Sequence, residues 1–371
     1  MSVCVAKRIL IIIRRSNGDV LLASPLIQHL QAHYPGAAID LLINDDTLGI
    51  AQALPHVRQI HTYSYGWKKL PLWQRLRTEM TFIRRLFRQY DLAISLTATD
   101  SSVLYALLFG RHSISVIDTD RRKNWWKKRV LTGYYQVNNQ RHVIANNLQV
   151  LPLLGISTQT IECAVQYSPQ SERMIRERLM AAGIASFMIF HPSAQYAYKV
   201  YPEALRQALL QQLSRLGMQT GVAIVVTGAK TPLDLQIKAA LLKSANVYDW
   251  IGETSLDEYI ALSDLSMAYI GGDTLNMHIA AAQNKRVFAI FGPTLLPVWS
   301  PWSNTLQSAA TLSQPEQTYD NITVFQAAMS CVPCGQAGCD NRHGKSECLY
   351  RIEPASIANA VGIWLHEYRN T

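Results

Sequence analysis

Two stretches of this chain place a carboxylate next to glycine directly after an apolar run, where a strand would deliver both to a sheet edge. The first is Arg14-Arg15-Ser16-Asn17-Gly18-Asp19, following Arg8–Ile13. Asp19 has two readings there: a cap for the next helix, or a general base for a hydroxyl. A helix amino terminus stabilises carboxylate and weakens it as a base, which a late proton transfer tolerates. The second is Gly271-Gly272-Asp273-Thr274, after the run 267–270 and before a helical pattern ending at Ala282. Paired glycines let backbone N–H groups approach a ligand, and a helix start offers unpaired N–H groups to an anion. Thr274 can cap that helix or donate to a phosphate oxygen, and His278, four residues on, can share its face. Phe291-Gly292-Pro293-Thr294 reads as a second wall of the same anion site, though most Gly-Pro pairs are only turns.

Lys199 precedes a helix beginning at Glu203 and can bring a mobile point charge to a phosphate. The plainer alternative is a solvated loop lysine, and for His191 it is a satisfied histidine at a strand end. The first strand lacks a Gly-x-Gly-x-x-Gly turn and no Walker lysine motif occurs, which counts against a nicotinamide enzyme or an ATPase.

Four of the six cysteines, Cys331, Cys334, Cys339 and Cys348, fall in one short segment. A C-x₂-C pair with two further thiols has the ligand count for a structural zinc or iron, with His343 able to replace one thiolate. Free or redox-labile thiols are the alternative. The segment lies just before the last helical pattern and apart from the glycine turns, so a metal there would serve stability or assembly, not chemistry.

Positioning these groups falls to alternating apolar runs and helical patterns. Strands are expected at Arg8–Ile13, 39–43, 59–63, 92–96 and 113–117, then at 187–190, 222–226, 267–270 and 287–291. Helices are expected at 20–33, 72–88, 101–109, 142–154, 203–216, 233–243, 256–262, 274–282 and 354–368. Hydrophobic strands with little alternation, separated by helices, indicate parallel sheets covered on both faces. The grammar restarts near residue 186 after irregular sequence to about 170. The expected organisation is a first α/β domain over 1–170, a second over 171–352 and a terminal helix over 353–371.

The chain has 371 residues, 49% of them hydrophobic, and Lys plus Arg exceed Asp plus Glu by 35 to 26, a formal charge of +9. That balance favours an anionic partner without naming it. No apolar run approaches the roughly 20 residues of a spanning helix, and the opening residues 1–7 lead into no secretory core. A cytoplasmic location is expected. Arg121 to Arg129 surrounds Trp125 and Trp126 with basic side chains, which suit a nucleic-acid strand and an anionic membrane headgroup layer equally, with an ordinary solvated loop as the plainer alternative.

Taken in order, Ser16-Asn17-Gly18-Asp19-Val20, His191-Pro192 with Lys199 and Pro202, Gly272-Asp273-Thr274 with His278 and Ala280-Ala281-Ala282, and Phe291-Gly292-Pro293-Thr294 carry a resemblance. The chain resembles the ADP-heptose:lipopolysaccharide heptosyltransferases of glycosyltransferase family 9. The resemblance spans essentially the whole sequence. It implies a glycosyltransferase B (GT-B) fold of two Rossmann-like domains with a cleft between them, and inverting transfer that requires no catalytic metal. It makes Asp19 the base, with Ser16, Asn17 and Gly18 on the acceptor side. It assigns Lys199, Gly272, Asp273, Thr274, His278, Gly292 and Thr294 to the nucleotide-sugar donor. The implied acceptor is the lipid A-core oligosaccharide, reached by an enzyme peripherally associated with the inner face of the inner membrane, so the basic segment around Trp125 and Trp126 is expected to meet anionic headgroups and no nucleic-acid partner is expected. Some arginines of the 72–88 pattern, among Arg75, Arg77, Arg84, Arg85 and Arg88 and with none singled out, would approach anions of that acceptor, while Leu76, Met80, Ile83 and Leu86 pack. Leu275 stands where the family commonly has glycine, and Ala194 to Tyr198 replaces a basic or Trp-bearing stretch. Those departures leave open another nucleotide-sugar donor, or a non-hydride nucleotide-sugar epimerase of the same fold.

Overall fold

A computed structural model describes residues 6–370; residues 1–5 of the opening stretch lie outside the described residues. The chain divides into two compact units, Met1–Gln166 and Tyr167–Thr371.

In the first unit, β1 (Arg8–Ile13), β2 (Ala38–Asn44), β3 (Val57–Tyr63), β4 (Tyr90–Ser95), β5 (Gly110–Ile117) and β6 (Gly133–Gln136) form one sheet in the order β3-β2-β1-β4-β5-β6. Every pairing is parallel. The isoleucine-rich β1 is central and buried, as a strand covered on both faces must be. The expected helix 20–33 is instead two helices, Asn17–Leu21 and Ser24–His33, broken ahead of Pro25, which suits only a first turn. The 142–154 pattern likewise splits into Val143–Asn147 and Val150–Leu153.

The second unit repeats the plan with β7 (Phe187–His191), β8 (Ala223–Gly228), β9 (Val247–Ile251), β10 (Ala268–Gly272), β11 (Arg286–Phe291), β12 (Glu316–Tyr319) and β13 (Ile322–Gln326). Their order is β12-β13-β11-β10-β7-β8-β9, parallel except for the β12–β13 pair. Sequence that read as irregular contains the helix Pro169–Ala181, opened by Ser168, whose hydroxyl accepts the Ser171 N–H at 3.1 Å. The terminal helix Pro354–Asn370 buries Ile357, Val361 and Leu365 in the same core as Leu209 and Leu213, so it is part of this unit. No helix of the described residues is long and apolar enough to cross a membrane.

In each sheet the chain reverses direction of winding at one point, between β1 and β4 and between β7 and β10. Open α/β sheets bind ligands outside the carboxyl ends of the strands at such switch points. Both carboxylate–glycine stretches emerge there.

Candidate functional site

At the β7/β10 switch point, Gly271 is the glycine with no room for a side chain. A Cβ on it would stand 2.6 Å from both the His191 carbonyl and the Tyr269 hydroxyl, whereas one on Gly272 would meet nothing closer than 3.5 Å. The Tyr269 hydroxyl donates to the Gly272 carbonyl at 3.1 Å and lies 3.2 Å from Thr274 Oγ1, fixing the turn from below. Thr274 is the N-cap residue of the helix Leu275–Ala282 but makes no side-chain cap among the described residues. The first N–H groups of that helix are therefore left for another acceptor. His278 is 4% exposed within the helix, behind that opening.

Lys199 ends a short 3₁₀ turn, Ala197–Lys199, and its Nζ donates to Asp273 Oδ2 at 2.6 Å. Burial works against the ammonium, but the charge and hydrogen bond of Asp273 more than offset it, so Lys199 is held above the ordinary lysine value. Lys199 and Asp273, both assigned to the donor, are thus partners of one another. A small cavity beside them is lined by His191, Ser193, Lys199, Tyr201, Arg206, Gly271 and Gly272. Sequence reasoning missed Arg206, whose Nη1 donates to the Tyr201 carbonyl at 2.6 Å. A signal existed: Arg206 lies in the first turns of the helix Glu203–Thr220, where the helix dipole disfavours a cation unless something holds it.

His191 is a satisfied histidine. Its Nδ1 lies 3.0 Å from the Thr227 hydroxyl, Asn276 Nδ2 approaches the ring at 3.1 Å, and burial lowers its pKa to about 4, keeping the ring neutral. The Gly292–Thr294 turn is pinned from one side, because Gln326 Nε2 donates to the Gly292 and Thr294 carbonyls at 3.0 and 3.1 Å. Leu349 packs against Gly292, where a Cβ would sit 3.2 Å from its side chain.

At the β1/β4 switch point, Ser16 is the N-cap and Asp19 the third residue of the helix Asn17–Leu21, with the two forming a capping box. The Ser16 N–H and hydroxyl donate to Asp19 Oδ2 at 3.3 and 2.6 Å, and Arg15 Nε lies 3.0 Å from Oδ1. Asp19 is only 5% exposed. Asn17 and Gly18 open the helix beside it rather than forming a loop ahead of it. Arg14 turns its N–H onto Thr97 Oγ1 at 3.0 Å, tying the end of β1 to the end of β4.

Two expectations need correction. Among the described residues no three or more His, Cys, Asp or Glu side chains gather as a metal ion requires. Cys331, Cys334 and Cys339 are exposed and Cys348 is buried. The Cys348 thiol is pushed up to about 11, first by burial and then by Cys339 and Cys334. The loop is closed by its own hydrogen bonds instead: Asp340 Oδ1 accepts the Arg342 and Gly344 N–H groups at 2.9 and 3.2 Å, and Cys339 Sγ accepts the Glu347 N–H at 3.3 Å. His343, the alternative ligand, stacks on Tyr196 with ring centroids 5.5 Å apart. The structural zinc or iron site is therefore not formed by these residues. In the basic segment, Lys127 is 2% exposed, paired with Asp100 at 2.8 Å and donating to the Ala98 carbonyl. Trp126 packs with Val103, Ile117 and Leu131. Only part of that segment, including the 62% exposed Trp125, is free to meet a partner.

Known proteins resemble the chain along most of its length. The profile of glycosyltransferase family 9 (heptosyltransferase) matches residues 80–326. A lipopolysaccharide heptosyltransferase 3 of Escherichia coli is 29% identical over 298 residues, 79% of this chain and 85% of its own. The corresponding protein of E. coli strain K12 is 27% identical over 326 residues, covering 86% and 92%. Among solved structures, E. coli ADP-heptose LPS heptosyltransferase II superposes with a TM-score of 0.71 at 18% identity, covering 98% of this chain and 99% of that one. The fold of the two doubly wound units is accordingly GT-B. The chain belongs to glycosyltransferase family 9, the heptosyltransferase family, and is a glycosyltransferase.

Proposed function

We propose that this enzyme transfers heptose from ADP-heptose to the lipopolysaccharide inner core, with inversion at the anomeric carbon and Asp19 as general base. The observation that carries the reading is the meeting of Lys199, Asp273 and the open amino terminus of Leu275–Ala282 at one switch point. A cation and aimed N–H groups are what a departing nucleoside diphosphate needs as its charge develops. The sugar and acceptor are taken from the names of the relatives, which are lipopolysaccharide heptosyltransferases.

In this reading the donor occupies the second domain, 171–352, and the acceptor the first, 1–170. Donor binding pulls Lys199 from Asp273 onto a phosphate oxygen and frees the Asp273 carboxylate for sugar hydroxyls. Thr274, Gly272 and the helix N–H groups take the diphosphate, His278 supports them from within the helix, and Gly292 and Thr294 form the far wall. An acceptor hydroxyl then displaces Ser16 at Asp19 Oδ2 and gives up its proton as its oxygen bonds the anomeric carbon and the bond to ADP breaks. Arg15 keeps Asp19 oriented. Charge stabilisation by Lys199 and the helix replaces any need for a catalytic metal. A lipid A-core acceptor places the enzyme in the cytoplasm, in peripheral contact with the anionic inner face of the inner membrane.

The test is turnover of purified protein with a panel of nucleotide sugars and a deeply truncated core acceptor. ADP-heptose is the expected best donor. Clear preference for a UDP- or GDP-sugar overturns the donor assignment, and isomerised nucleotide sugar without acceptor overturns transfer.

A further inference from the structure

The helix Leu72–Leu86 does not pack as its periodicity predicts. Phe82 and Leu86 are buried, joining Tyr105 and Phe109 in the core of the first unit. Leu76 and Met80, expected to pack, are instead 44% and 47% exposed, and Leu72 and Trp73 reach 70% and 83%. At about 100° per residue these four side chains share one flank of the helix, next to the flank that packs. Arg77 and Arg84 border the apolar flank, and both are exposed. Among the described residues neither guanidinium pairs with a carboxylate, whereas Arg75 is drawn to Glu79 at 3.3 Å and Arg85 to His61 at 3.2 Å. Lys68 and Lys69, just before the helix, are exposed too. Residues 65–88 carry seven basic side chains and one acidic one.

We propose that this flank is the lipid-docking surface of the enzyme, lying in the headgroup layer of an anionic membrane. An exposed apolar stripe with Trp among its members and arginines along its border is the pattern of an interfacial helix. Trp73 and the aliphatic chains enter the acyl boundary while Arg77, Arg84, Lys68 and Lys69 meet lipid phosphates. A second copy of the chain does not suit the surface, because a symmetric contact would set like charges against each other. A nucleic acid does not suit it either, since three of the four exposed apolar side chains offer no stacking face. The assignment deepens the proposed function by giving the contact with the acceptor's membrane a place.

The experiment is sedimentation of purified full-length protein with vesicles of phosphatidylglycerol and phosphatidylethanolamine, against vesicles of phosphatidylcholine alone. Binding to the anionic vesicles that weakens with salt is expected. Trp73→Ser with Leu76→Ser, both at exposed positions, should weaken it about tenfold or more. Arg77→Glu with Arg84→Glu should weaken it comparably and flatten the salt dependence. Unchanged partitioning in both variants overturns the proposal, as does a dimer of the wild-type protein that the same substitutions dissolve. Transfer to a soluble, delipidated core oligosaccharide separates the two readings. The Trp73→Ser/Leu76→Ser variant should match the wild type there. Failure of the wild type with every acceptor would sink the proposed function and leave the vesicle result standing.

Discussion

The two switch points of this molecule are built on the same plan and hold their carboxylates in opposite ways. At β1/β4 the carboxylate is tied locally: Asp19 is gripped by Ser16 three residues before it and Arg15 four before it. At β7/β10 it is tied across the fold, Asp273 meeting Lys199 from 74 residues away. A local grip fixes orientation whatever is bound elsewhere, which suits a group that must face one hydroxyl. A long-range ion pair can be exchanged for a ligand, which suits a group that must accept and release an anion. That difference fits the division of labour we propose, with proton transfer at the first switch point and donor charge at the second.

The largest expected effect lies at the first. Asp19→Asn keeps the size and much of the capping geometry but removes the proton acceptor, so turnover should fall about 100- to 10,000-fold. Near-normal turnover in that variant would return Asp19 to the role of a helix cap and erase the distinction.

At the second switch point, His191 sharpens the comparison through pH. Its folded pKa of about 4 lies below the ordinary value of 6.5, so the unfolded chain binds the extra proton first as pH falls. The stability that neutral His191 contributes is complete above about 6.5 and is lost as pH drops towards about 4, on the order of 3 kcal/mol in total. Urea unfolding across that window should show a shallower slope for His191→Gln than for the wild type. Identical slopes would mean that the ring is not buried as a neutral group.

The smallest effects separate two adjacent glycines. Gly271→Ala forces a methyl group to 2.6 Å from the His191 carbonyl and the Tyr269 hydroxyl, so a loss of about 1–3 kcal/mol is expected. Gly272→Ala meets only ordinary contacts and should change stability by less than about 1 kcal/mol. Thermal unfolding of the two variants reads the difference, and equal losses would show that the turn is not held by Tyr269 as described.

Much of this architecture was legible in the sequence, for reasons that particular elements show. β1 is found residue for residue, because a run of isoleucines bounded by arginines has only one reading. β9, Val247–Ile251, was missed because Asp249 and partial burial break the apolar run. β13, Ile322–Gln326, is fully buried but carries Thr and Gln, whose polar ends find partners that only the fold supplies. The Gly-Gly-Asp-Thr turn announced itself, yet which glycine is cramped depends on Tyr269 and the β7 backbone beside it. The pairing of Lys199 with Asp273 was out of reach, since it joins separate loops. Helical periodicity placed Leu76 and Met80 on a common face, but not which face the core would cover. The cysteine cluster misled because spacing describes ligand count, whereas closure by Asp340 is a matter of backbone geometry.

The division of labour between the switch points is tested most directly by titrating ADP into three proteins: wild type, Asp19→Asn and Lys199→Ala. Asp19→Asn should bind ADP as the wild type does. Lys199→Ala removes a charge-assisted hydrogen bond and should bind about 10- to 100-fold more weakly. Wild-type affinity in Lys199→Ala, or a comparable loss in Asp19→Asn, would contradict the account.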